Sequence, residues 1–108
     1  MRGKSRVELY GMLINAVHPL TGELVNAYTD ECGTTYALMA VYHHDTVHRD
    51  FWHIKIQNRD RNPNLTALQK TVHSITAGET IRIIGEPYIE SNQFGKYPYV
   101  RPFSIDKE

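Results

Sequence analysis

FWHIKIQN, Phe51 to Asn58, decides the fold. Its side chains alternate at period two, the pattern of a strand with one covered and one open face. Trp52, Ile54 and Ile56 share one side; Phe51, His53, Lys55 and Gln57 share the other. The period alone puts the isoleucines in a core and the tryptophan with them. Phe51, His53 and Lys55 are left outward, and the strand runs into the basic turn Arg59-Asp60-Arg61. Rings set among cations on a sheet suit unpaired nucleotides, because bases stack on the rings while cations meet phosphates.

Extended segments flank this strand. Thr34 to His43 reads as a strand carrying Tyr36 and Tyr42. Before it, Arg6 to Val17 alternates imperfectly, with Gly11 suggesting a bulge. His18-Pro19-Leu20-Thr21-Gly22 has turn chemistry, Leu24 to Tyr28 is weakly extended, and Thr29 to Gly33 forms a second turn. After it, Asn62 is placed to cap a helix whose Leu65, Leu68, Val72 and Ile75 fall on one face. Thr80 to Ile84 resumes as a strand that continues through Tyr88 to Ser91. Asn92 to Lys96 is a hairpin loop, and Tyr97 to Ile105 is the last strand, which Pro98 and Pro102 mark as an edge or as broken. The order predicts a mainly β protein: a five-stranded Greek-key barrel of the OB-fold type, with one helix between strands 3 and 4.

At 108 residues the chain is one domain, 1–108, with a short flexible N-terminus at 1–5. It has no apolar run of membrane-spanning length and no secretory signal behind Met1-Arg2-Gly3-Lys4, so a cytoplasmic, nucleoid-associated protein is expected. The single cysteine, Cys32, excludes an internal disulfide. Lys and Arg total 12, as do Asp and Glu, so no global field draws in a polyanion. Positive charge is instead local: Arg2, Lys4 and Arg6 at the start, and Arg49, Lys55, Arg59 and Arg61 about the tryptophan strand.

Seven tyrosines are many for this length. Tyr88, Phe94, Tyr97 and Tyr99 line the expected hairpin, where each ring either stacks a base or packs across the strands. Phe94, at the tip beside Gly95, fits a core least well. Lys55, Arg59, Arg61, Lys96 and Arg101 are the candidate phosphate contacts. His43, His44 and His48 lie near Asp45 and Asp50, yet nothing else completes a coordination shell, so neither a metal nor another cofactor is expected. No phosphate loop, activated nucleophile or carboxylate pair points to catalysis, and the chain is not read as an enzyme.

These segments resemble, in order and spacing, the bacterial single-stranded DNA-binding proteins of the SSB type and their tail-less primosomal relative PriB. SRVELYG is similar to the family's first strand, YALMAV to its second, FWHIKI to its third, and HSITAGETIRIIGEP to its helix end and following strand. The resemblance implies an OB-fold that binds single-stranded DNA with little sequence preference, in replication, recombination or repair. It implies dimers or tetramers, and replication proteins as partners. It makes Trp52 the stacking ring of the third strand, flanked by Tyr36 and Tyr42, and puts Lys96 in a loop that grips DNA. That orientation of Trp52 opposes the one given by strand period, and a bulge would reconcile them. Binding is then expected to quench Trp52 fluorescence. The chain departs from the family in stopping at SIDKE, so no acidic C-terminal tail is expected, and in placing Glu86 and Glu90 on its fourth strand. Those carboxylates and the neutral charge favour one alternative, an OB-fold subunit that docks proteins. RNA binding is the other, since bases stack alike in either polymer.

Overall fold

The computed structural model describes residues 18–42 and 48–108. The readings placed on Arg2, Lys4 and Arg6, on the Arg6–Val17 strand, and on His43, His44 and Asp45 lie outside these residues. The elements are β1 (His18–Thr29), β2 (Thr35–Tyr42), β3 (Arg49–Ile56), α1 (Pro63–Ser74), β4 (Thr80–Asn92) and β5 (Gly95–Lys107). The strands close into a barrel in the order β1-β2-β3-β5-β4. A closed, mainly β barrel with its one described helix between β3 and β4 is the OB-fold.

The segment His18–Gly22 is strand, not turn, and this corrects the reading of its His-Pro and Gly chemistry. Its backbone pairs with β4 from His18↔Gly85 to Glu23↔Thr80. From Glu23↔Ala40 to Thr29↔Thr35 the same strand pairs with β2. One strand thus serves two partners and must coil as it passes between them. Gly22 sits at the handover, where a Cβ would meet the Ala40 carbonyl oxygen at 2.3 Å. The glycine is there for close approach of backbones. A bulge between Leu24 and Asn26 supplies further bending.

The last strand is neither an edge nor broken. It pairs with β4 from Asn92↔Gly95 to Ile81↔Lys107, with one shift at Ile84/Gly85, and meets β3 in parallel at Ile54↔Val100. Pro87, Pro98 and Pro102 fall in pairs of one parity, Pro87↔Val100, Ile89↔Pro98 and Gly85↔Pro102. Proline has no N–H to donate, so these are the non-bonded pairs of the ladder. The prolines leave the β4–β5 bonds intact, and Pro98 and Pro102 of β5 withhold donors from the β3 side, where pairing is correspondingly sparse.

The barrel is filled by Leu24, Ala37, Met39, Trp52, Ile54, Ile56, Ile81, Ile83, Val100 and Ile105. Burial of each large aliphatic chain contributes about 1.5–3 kcal/mol relative to exposure. Helix α1 adds Val72 and, just past its end, Ile75 to this core, with Leu65 and Leu68 partly buried against it. Its start is set locally: Asn62 Oδ1 accepts from the Asn64 N–H at 2.8 Å, and Pro63 occupies the first turn. Asn58 ties the β3–α1 turn to the helix by donating to Thr66 Oγ1 at 2.8 Å and accepting from the Asn62 N–H at 2.7 Å. Among the described residues, no helix is long and apolar enough to cross a membrane.

Candidate nucleic-acid interface

The β2–β3 register runs without a shift, so strand parity alone decides which side chains face out. Thr35↔Ile56, Ala37↔Ile54 and Met39↔Trp52 point into the barrel. Tyr36↔Lys55, Leu38↔His53, Ala40↔Phe51 and Tyr42↔Arg49 point outward. Trp52 is only 3% exposed and belongs to the core. The outward tryptophan implied by family resemblance is therefore corrected: no bulge turns the strand over, and the ring presents no face to a ligand. Its fluorescence reports the core.

The outward face carries a continuous aromatic row. Tyr28 of β1 stacks on Tyr36 of β2, with centroids 5.3 Å apart. The Lys55 ammonium lies 5.7 Å from the Tyr36 centroid and 4.9 Å from that of Tyr99 on β5. Tyr99 in turn meets Tyr88 of β4 at 5.8 Å and the edge of His53 at 6.2 Å. The Arg101 guanidinium covers Tyr88 at 4.7 Å. A second patch lies higher on β2 and β3, where Arg49 lies 5.9 Å from the Tyr42 ring and 5.2 Å from the Phe51 ring. Burial raises the phenol pKa of Tyr36 above its ordinary value of 10.0, against the lowering effect of nearby Lys55. The Tyr88 phenol is raised strongly, by burial first and by the Glu90 charge second.

Lys55 is not the open phosphate contact that its place in the sequence suggests. It is 8% exposed, and its ammonium donates to Glu90 Oε1 at 2.6 Å. Glu90 is thereby its counter-ion. Outside the barrel proper, β4 and β5 continue as a hairpin whose outer face presents Glu86↔Arg101, Tyr88↔Tyr99 and Glu90↔Tyr97. Lys96 pairs with Ser91 at the opposite parity, so it lies on the reverse face from Tyr97 and Tyr99. Phe94 is 78% exposed at the tip, where its N–H donates to Asn92 Oδ1 at 2.8 Å and Gly95 takes φ +143°. Arg59 and Arg61 are exposed in the β3–α1 turn, with Arg61 in the left-handed region at φ 52°.

A small cleft opens beside the aromatic row, where β3 and β5 part. Lys55, Ile56, Gln57, Leu65, Tyr88, Arg101 and Pro102 line it. Sequence reasoning named most of these rings and missed Tyr28, Arg49 and Glu90 as site members. Tyr28 ends a segment with no strong period of its own; only its register opposite Tyr36 makes it a neighbour. Arg49 is named with the cations about the tryptophan strand but not as a contact, although its place two residues before Phe51 at the same parity sets it on the outward face. Among the described residues, no group of three His, Cys, Asp or Glu side chains is placed to hold a metal ion.

No family model matches the sequence, and no curated protein sequence is similar to it. Solved structures are similar in fold. One is the N-terminal domain of PriB from Thermoanaerobacter tencongensis, a dimeric structure, with TM-score 0.57, 13% identity, and 85% of this chain and 94% of that chain covered. A second is the mitochondrial single-stranded DNA-binding protein of S. cerevisiae, at TM-score 0.53 and 13% identity, covering 85% and 93%. A third is the small single-stranded DNA-binding protein of Streptomyces coelicolor, at TM-score 0.51 and 10% identity, covering 85% and 93%. At these identities the likeness is one of fold alone: the chain shares the OB-fold barrel of these proteins.

Proposed function

We propose that this protein binds single-stranded DNA along the outer face of β1, β2 and β3 and across the β4–β5 hairpin, without catalysis. The observation that carries the reading is the row Tyr28, Tyr36, Tyr99 and Tyr88, interleaved with Lys55 and Arg101. A core has no use for such a row on the outside of a closed barrel, whereas stacked bases do. Two proteins of this fold are single-stranded DNA-binding proteins, which supports the reading. Tyr42, Phe51 and Arg49 extend the surface at one end, and Tyr97 and Phe94 at the other. Among the described residues, Arg49, Arg59, Arg61 and Arg101 are the cations left to meet phosphates, with Lys96 on the reverse face of the hairpin. The same analogy makes self-association and a role in replication, recombination or repair part of the proposal, since one similar structure is dimeric.

The test is titration of a labelled oligonucleotide at low salt, read by fluorescence anisotropy, with matched DNA and RNA strands and a duplex as competitors. Micromolar or tighter binding that duplex does not compete is expected. Absence of binding at low salt overturns the reading. A second reading, an OB-fold that docks a protein, draws on the pairing of Lys55 with Glu90 and on Glu86 opposite Arg101, which leave little free positive charge on the rings. It gains if the oligonucleotide fails and the aromatic face is covered when the protein self-associates.

A further inference from the structure

We infer that Glu90 makes this face selective among bases: it accepts a hydrogen bond from the exocyclic amino group of a base seated beside Tyr97, so amino-bearing bases are preferred over thymine. The inference rests on the nucleic-acid reading above and adds a discrimination that the reading lacks. Glu90 and Tyr97 are directly opposite on β4 and β5, so their side chains leave the same face as neighbours. Tyr97 is 41% exposed and the Glu90 side chain 36%, so both are open to a ligand.

The pair Lys55–Glu90 is asymmetric in a way that matters. Lys55 is enclosed between Tyr36 and Tyr99, with its ammonium turned to Glu90 Oε1. Glu90 Oε2 accepts no hydrogen bond from the described residues. The donor of the pair is therefore hidden and the acceptor faces out, fixed by the ammonium behind it. A carboxylate can only accept, and it repels phosphate. Its best partner in a single strand is a base amino group, such as the N4 amino group of cytosine. Thymine offers one imino N–H flanked by two carbonyl oxygens, whose lone pairs oppose a carboxylate on either side. Stacking on Tyr97 does not separate the two pyrimidines, so the edge contact decides.

The probes are oligonucleotides of 5-methylcytosine and of thymine, equal in length, which share the ring methyl and differ at the Watson–Crick edge. Anisotropy titrations at one fixed salt concentration compare them on the wild-type chain and on Glu90→Gln, whose amide both donates and accepts. We expect the methylcytosine strand to bind the wild type about five- to a hundredfold more tightly, the ratio shrinking to about twofold or less in the variant. Equal binding of the two strands by the wild type overturns the inference and leaves single-stranded DNA binding standing. So does a variant that binds both strands more tightly with the ratio unchanged, which would reduce Glu90 to a counter-charge on Lys55. If neither strand binds the wild type, the reading underneath fails and this inference with it. Because the wild-type comparison needs no substitution, misfolding of the variant does not remove the test.

Discussion

Lys55 shows how far one residue's role depends on partners distant in sequence. Its strand neighbours predict an outward cation, and it does leave the outer face, but Tyr36, Tyr99 and Glu90 enclose it there. The ring stack, more than the ammonium, is then the adhesive part of the surface. Replacing Tyr99 with Leu keeps an apolar chain and removes the π-face, and should weaken oligonucleotide binding about 5- to 100-fold, from roughly 1–3 kcal/mol per stacked base. Trp52→Ala should do the reverse. It empties a core site and costs about 3–5 kcal/mol of stability by urea denaturation, with no stacking face lost. The phenols make a pH prediction as well. Tyr36 and Tyr88 both ionise above the ordinary tyrosine value of 10.0 in the folded chain. Below that value both states keep these protons, and the stabilisation is whole. As pH rises past it, the unfolded chain releases protons that the folded chain retains, so stability falls until the folded phenols ionise too. Urea midpoints should therefore decline between about pH 9 and pH 11, and less steeply in a Tyr36→Phe, Tyr88→Phe double variant.

Among the elements, β1 divides its length between two partners, holding β4 with one half and β2 with the other. Gly22→Ala places a methyl 2.3 Å from a backbone carbonyl that cannot swing aside. The strands must separate or shift register, and the chain should lose about 1–3 kcal/mol or more, seen as a lower urea midpoint. An equal loss is not expected from Gln93→Ala in the exposed hairpin turn, which serves as the control. The same strand marks where sequence reasoning stopped. Alternation over Phe51–Ile56 sets Trp52 with the core isoleucines, where it lies, whereas the family resemblance makes it an outward stacking ring; Asn62 announced the helix by its own capping chemistry. His18–Gly22 carried proline and glycine for reasons of strand crossing, and locally those residues are indistinguishable from a turn. The proline spacing in β5 misled in the same way, because its parity against β4 is visible only once the register is known. Glu90 lies 35 residues from Lys55, and no periodicity connects them.

For the molecule as a whole, the balance of 12 basic and 12 acidic residues constrains how any polyanion can be held. Attraction cannot come from net charge, so it must come from where the cations lie. Lys55 is neutralised by Glu90, and Lys107 by Glu79 at 2.8 Å, where the ammonium holds the Glu79 carboxyl below its ordinary pKa. Lys96 faces away from the tyrosines. Among the described residues, what remains beside the rings is Arg49 and Arg101, with Arg59 and Arg61 in the adjoining turn. Each phosphate neutralised on a single strand contributes about −0.7 to the slope of log K against log salt, so these arginines predict a slope of about −2 to −3. A binder that relies on charge shows a much steeper dependence. Anisotropy titrations across a salt series measure the slope directly, and Arg101→Gln should make it shallower by about 0.7 while leaving the protein folded. A slope steeper than about −5 would mean that phosphates, not stacked bases, supply most of the affinity, and the aromatic row would lose its place as the principal contact.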